Sequence, residues 1–292
     1  MSSDARLVRN LIVLGALVGA GCMTNAQRSA VREFSVATAV LGDVASSEFV
    51  AMRKSTIEMN LVRLALDPDP EPPGHSNLDG SFDIDAVEAR VRAAETLKTY
   101  GELLLSLATD TQADEIRNAS DRFVPSVAGL GPDDQKLTDE RAQALGAIVN
   151  TIGGWVVEYK KARAMKRVIA DASPQVRHLC GLLKRDFDPE GVELATGFRQ
   201  TADALEIAAD DALDDGARRG EHAAARGAYM LATENAARVE TVWRRASVSS
   251  ERLATAQSAL EAAMLSRQPS LVEIKSFTRE AQSLLAALKV LG

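Results

Sequence analysis

The feature that most constrains this chain is an apolar spacing of three and four residues that persists almost from end to end. Val91, Ala94, Leu97, Tyr100, Leu104 and Leu107 follow it. So do Leu145, Ile148, Ile152, Trp155, Tyr159, Ala162 and Ile169, and later Ile274, Phe277, Ala281, Leu284 and Leu288. Side chains at that spacing share one face of an α-helix. No stretch alternates apolar and polar residues for long enough to make a half-buried strand. Composition agrees, because aromatics are only 4% of the chain while alanine and leucine abound. Straight-chain residues favour helix, and strands want β-branched and aromatic ones. The expected fold is all-α: an elongated antiparallel multi-helix bundle with long helices.

The breaks in the pattern place the helices. The first runs from about Gln27 to Leu66, with Phe34, Leu41 and Val44 in its first half and Ile57, Leu61 and Leu64 in its second. It stops at Asp67-Pro68-Asp69-Pro70-Glu71-Pro72-Pro73-Gly74, which holds four of the nine prolines. A second helix is expected from Asp85, with Glu88 completing a capping box. A shorter one from about Gln112 is expected to break near Pro125, ahead of a turn at Gly131-Pro132. The next long helix begins near Thr138. Gly153-Gly154 in its middle weaken it and mark a close neighbour. Ser173-Pro174 and Asp188-Pro189 each read as an N-cap and first helical residue, with a short helix between. The alanine-rich stretch from Glu190 to Ser266 is expected to be interrupted near Asp214-Asp215-Gly216 and again near Ser247. Ser270 with Glu273 caps the last helix.

The N-terminus carries a different signal. Arg6 and Arg9 precede the apolar run Leu11-Ile12-Val13-Leu14-Gly15-Ala16-Leu17-Val18-Gly19-Ala20-Gly21, which ends at Cys22. A basic start, a short apolar run and small residues before its end make a secretory signal. The cysteine directly after Ala20-Gly21 resembles the lipobox of bacterial lipoproteins, although Gly19 stands where that pattern prefers leucine. The resemblance implies removal of residues 1–21 and acylation of Cys22 as the new N-terminus, leaving residues 22–292 as the mature helical domain. A division of that domain into two sub-bundles near residue 188 stays open. An ordinary secretory signal cut after Ala26 is the alternative. An uncleaved anchor is disfavoured, because the run is well short of the roughly 20 residues a spanning helix needs. By resemblance to the Gram-negative sorting rule, Met23 after the cysteine, in place of Asp, points to the outer membrane over the inner one.

Little in the body carries chemistry. The net charge of −7 opposes binding to nucleic acid. The three histidines, His75, His178 and His222, have no ligand partner at helical spacing. No cysteine cluster, phosphate loop or Gly-x-Ser-x-Gly elbow is present, and no cofactor or metal is expected. Asn77, Asp79, Gly80 and Asp83 fit four positions of an EF-hand loop, but His75 and Ala86 fall where its first Asp and its bidentate Glu belong. A polar turn leading to a helix cap is the better reading. Cys180 is expected to be a small buried hydrophobe.

Lys160, Lys161, Arg163, Lys166 and Arg167 form a basic run, and Asp203, Glu206, Asp210, Asp211, Asp214 and Asp215 an acidic one. Each reads as a solvated face, and the two are complementary, within the molecule or across a dimer. Trp155 and Tyr159 are candidates for contact with a partner or ligand. Trp243, in the polar setting Val242-Trp243-Arg244-Arg245, is a third candidate, as an exposed anchor. Partial burial at a helix crossing is the favoured reading of Trp243.

Four segments, Phe34 to Asn60, Leu97 to Asp110, Trp155 to Phe187 and Ser258 to Leu288, resemble stretches in small helical lipoproteins of proteobacteria, a group with no established activity. The resemblance implies a helical body and an envelope location, and it carries no catalytic residue. The function expected on this reading is non-enzymatic: a membrane-anchored envelope lipoprotein that acts through a protein partner in scaffolding, assembly or an immunity-like role. A small-molecule or lipid-binding helical module is the alternative.

Overall fold

The computed structural model describes residues 23–67, 77–109, 113–127, 158–191, 194–214, 219–266 and 270–291. All regular structure among these residues is helical. The elements are α1 (Asn25–Leu66), α2 (Ile84–Thr109), α3 (Ala113–Val127), α4 (Glu158–Asp186), α5 (Leu194–Asp214), α6 (Arg219–Arg238), α7 (Arg244–Leu265) and α8 (Val272–Leu291). A single π-turn, Val239–Trp243, joins α6 to α7 without a break. The two are therefore one long rod.

The organising element is α1. Its 42 residues span about 63 Å at 1.5 Å per residue. Thr24 starts it with a capping box: its hydroxyl accepts from the Gln27 N–H, and the Gln27 side chain accepts from the Thr24 N–H. It packs against α2, α5, α6, α7 and α8. That packing explains its composition. Among the described residues it is the one helix long and apolar enough to cross a membrane, yet 56% of its most apolar window is buried inside the bundle.

Cross-links fix the directions of the helices. Gln27 at the start of α1 donates to the carbonyls of Ala263 and Ser266 at the end of α7. Glu48, halfway along α1, meets Arg238 and Trp243. The α6–α7 rod is thus antiparallel to α1. On α4, Ile169 faces Gln257 of α7 and Lys184 faces Glu251, so α4 runs antiparallel to α7 and parallel to α1. Arg245 on α7 donates to Ser283 on α8, which turns back beside it. The starts of α1, α4 and α8 and the end of α7 therefore lie together at one end of the bundle. The α5–α6 hairpin packs along the second half of α1, at the other end.

The closest crossing joins α1 and α2. A Cβ on Gly42 would lie 2.5 Å from the Lys98 nitrogen and 2.6 Å from the Ala94 oxygen. A Cβ on Gly101 would lie 2.5 Å from the Ser35 oxygen. Only glycine permits backbones this near, and each helix supplies one.

Several helix boundaries differ from the sequence expectation. α2 begins at Ile84, because the Asp83 carboxylate takes the Ala86 N–H and acts as the cap one turn ahead of Glu88. α4 passes through Pro174 with no break. Ser173 does not cap a new helix; its hydroxyl accepts from Arg177 instead. Burial of Ala172, Val176, Leu179 and Leu183 along this helix outweighs the ~3 kcal/mol that an interior proline costs. α3 likewise contains Pro125 and ends two residues later. The expected interruption near Ser247 is not seen: Ser247 lies inside α7, and the nearest irregularity is the π-turn Val239–Trp243, through which the helix continues. Gly153-Gly154 and the proline loop 68–76 lie outside the described residues. The last helix buries its expected stripe of Ile274, Phe277, Ala281 and Leu284.

Candidate functional site

Halfway along the bundle, two dipeptides of the same kind meet. Glu48-Phe49 on α1 and Asp186-Phe187 at the end of α4 each bury an acid beside a phenylalanine. The two phenylalanine rings stack at 4.8 Å. Trp243 packs edge-on to Phe187 and at 4.5 Å from Phe198, and Phe198 packs edge-on to Phe82. Each acid is held by a two-pronged arginine. Arg90 of α2 reaches Asp186 at 3.1 and 3.2 Å. Arg238 of α6 reaches Glu48 through Nε at 2.8 Å and Nη2 at 2.6 Å. The Trp243 indole N–H donates to the same Glu48 carboxylate at 2.9 Å. The Glu48 contact holds the Arg238 pKa above its ordinary value.

The π-turn is what makes this arrangement possible. Residues five apart on an α-helix point about 140° away from each other. The i→i+5 pairing, here from the Arg244 N–H to the Val239 carbonyl, brings Arg238 and Trp243 back toward one side. Both then reach Glu48. Chemically, the junction is a fastener. Three donors, two from Arg238 and one from Trp243, occupy the Glu48 carboxylate.

The aromatic side chains expected to touch a partner fare differently. Trp243 is fully buried, and the exposed-anchor reading of it is corrected. The arginines that follow it mark the rim of the helix, while the indole points at Glu48. Tyr159 is 49% exposed at the start of α4. With Lys160, Arg163, Lys166 and Arg167 it lines an open groove of about 630 Å³. Arg167 pairs with Asp171 at 2.5 Å, while Lys160, Arg163 and Lys166 form no ion pair with a described residue. Lys161 of the same run is buried. Cys22 and Trp155 lie outside the described residues.

The remaining candidates resolve into structure. In the loop 77–83, Asp79 pairs with Arg53, Asn77 brackets Gly80 and Asp83 caps α2, so the would-be calcium ligands are already engaged. Among the described residues no group of three or more His, Cys, Asp and Glu is placed to hold a metal ion. Cys180 is buried, and burial pushes its thiol well above the ordinary range. Tyr100 is buried too, donating to Gln257 Oε1 at 3.1 Å, and burial pushes its phenol up. The acidic residues Asp203, Asp210 and Asp211 stand exposed on α5, and no described ion pair joins them to the basic run of α4. Beside them Ile207 and, on α6, Tyr229 and Met230 are exposed apolar side chains.

Compared with known protein families, curated proteins and solved structures, the chain matches none.

Proposed function

We propose that the chain is a non-enzymatic envelope lipoprotein, anchored through Cys22, whose helical rod carries a protein-binding surface away from the membrane. One observation carries this reading. Thr24, two residues after Cys22, is already the cap of the core helix α1. An anchor at Cys22 therefore feeds directly into a rigid rod, with no linker between them. The outer membrane is the favoured location, on Met23 following the cysteine.

The far end supplies the candidate surface. Pairing of α5 with α6, and of both with the second half of α1, puts Ile207, Tyr229 and Met230 near the level of α1 residues 57–61. That is about 50 Å from Gln27 by helix rise. Ile207 and Met230 are each 62% exposed; Asp203, Asp210 and Asp211 flank Ile207 on α5, and Glu206 and Asp210 face Tyr229 of α6. Exposed apolar side chains within a polar rim mark interaction sites. A partner that meets them would offer an apolar patch flanked by cations.

A photo-crosslinking residue at position 207 or 230 tests this in intact cells. One envelope protein is expected to be captured, and to be lost in Ile207→Arg and Met230→Arg. Absence of a reproducible partner, with the protein folded and in place, would overturn the interaction reading. Cys22→Ser is expected to leave the membrane fraction without acylation. If it does not, the anchor reading fails.

A second reading, a ligand-binding module, draws on the groove beside Tyr159. Its lining is dominated by cations, so it suits an anionic headgroup better than an enclosed apolar ligand.

A further inference from the structure

The anchored end has a surface of its own. The start of α1, the end of α7 and the start of α8 meet there, joined by the Gln27 bonds to Ala263 and Ser266. The start of α4 belongs to the same end. Ile169 is level with Gln257, so Tyr159, ten residues earlier on an antiparallel helix, is level with the end of α7. Two large apolar side chains protrude at the α7–α8 turn: Leu265 is 86% exposed and Val272 66%. At the same end α4 offers Lys160, Arg163 and Lys166, exposed and free of any ion pair with a described residue, and α8 adds exposed Lys275. Acids at this end include Asp114 and Glu115 on α3, Glu273 beside Val272 at the start of α8, and Glu261 of α7, which pairs with Arg177. Asp171, on α4 itself, is held by Arg167.

We infer that this end is a membrane-contact surface: Leu265 and Val272 dip into the bilayer interface while Lys160, Arg163 and Lys166 meet the phosphates of anionic phospholipids. The inference rests on the anchoring of Cys22 proposed above and goes beyond it. Three residues of chain reach at most about 11 Å, so an acylated Cys22 holds the start of α1 within that distance of the headgroups. The surface at that end must then face lipid. An apolar pair at the same end as cations that pair with no described residue fits an anionic interface, and a purely acidic surface would be repelled from it. The overall charge of −7 disfavours approach to an anionic bilayer, and a local basic face offsets that repulsion.

The test uses acylated full-length protein, purified from membranes and reconstituted in vesicles of phosphatidylethanolamine and phosphatidylglycerol. An environment-sensitive fluorophore is placed at Leu265→Cys, at Val272→Cys and, as a control, at Met230→Cys. Buried Cys180 does not compete for the label. The expected result is blue-shifted emission at 265 and 272 and water-like emission at 230. The shift should weaken when phosphatidylcholine replaces phosphatidylglycerol, and also in Lys160→Glu/Arg163→Glu/Lys166→Glu. Each reversed cation should lower the bilayer-contacting population roughly fivefold or more. Water-like emission at 265 and 272, with an intact acyl mass on Cys22, would overturn the inference and leave the anchor standing. No acyl mass on that cysteine would remove the anchor reading, and this inference with it.

Discussion

Two aromatic clusters hold the bundle, and they are built on opposite principles. Near the end where α1 starts, Phe34, Tyr100, Phe123 and Phe277 pack together with centroids 5.5–6.3 Å apart. Their one polar group, the Tyr100 hydroxyl, is satisfied by a neutral amide, Gln257, which in turn donates to the Ile169 carbonyl at 3.3 Å. At mid-length, Phe49, Phe82, Phe187, Phe198 and Trp243 wrap around buried carboxylates held by Arg238 and Arg90. The first cluster needs only shape and one hydrogen bond. The second needs each charge to find its partner, because an unpaired buried carboxylate costs several kcal/mol. The half around the start of α1 is therefore tolerant of change, while the junction with the α5–α6 hairpin is exacting.

The largest expected effect comes from breaking the charged cluster on one side. Glu48→Ala strands Arg238 and the Trp243 indole and opens a cavity between α1 and the π-turn. The side chain of Arg238 is 26% exposed, which softens the loss to about 3 kcal/mol. Urea unfolding checks this, and a loss below about 1 kcal/mol would show that the ion pair is dispensable. Next comes the α1–α2 crossing. Gly42→Ala or Gly101→Ala pushes a Cβ onto backbone 2.5 Å away and should cost about 1–3 kcal/mol, as overpacking does.

The neutral cluster should yield less. Tyr100→Phe removes one hydroxyl and leaves Gln257 Oε1 short of a donor, a cost of about 1–2 kcal/mol near neutral pH. It should also alter the alkaline limb of stability. Burial raises the Tyr100 phenol above its ordinary 10.0 and the Cys180 thiol above its ordinary 9.0. The folded chain thus keeps protons that the unfolded chain gives up, so stability is full below about pH 9 and falls as pH rises past it. Tyr100→Phe should flatten the part of that fall above about pH 10. An unchanged slope would contradict the assignment. The smallest effect should come from surface pairs. Lys184→Ala loses an exposed partner of Glu251 at 2.9 Å and should cost under about 1 kcal/mol.

The sequence made the helices readable and the crossings opaque. Apolar spacing predicts α1, α2 and α8 closely, because burying a stripe is a local requirement of each helix. Gly42 and Gly101 carry no such mark: what gives them meaning is the backbone each one faces. Glu48 carries no mark in the sequence, because the arginine that pairs with it lies 190 residues away. One signal was there to be used: Glu48-Phe49 and Asp186-Phe187 each set an acid against a large apolar neighbour. Trp243 reads as partly buried at a crossing or as an exposed anchor, and the structure buries it fully. Its flanking arginines were visible in the sequence, and the π-turn that swings the indole toward Glu48 was not. Proline misled at Ser173-Pro174, where packing along α4 holds the helix through the missing hydrogen bond.

The central claim is that the bundle stands on the membrane by the end that carries Cys22, with the α5–α6 hairpin held outward. The direct measurement is energy transfer to a headgroup acceptor in the bilayer, from a donor at Met230→Cys and then from one at Leu265→Cys, in the acylated protein. The account predicts strong transfer from 265 and little from 230, which lies about 50 Å farther along the rod. Equally strong transfer from both positions would mean that the rod lies flat on the membrane, and would contradict it.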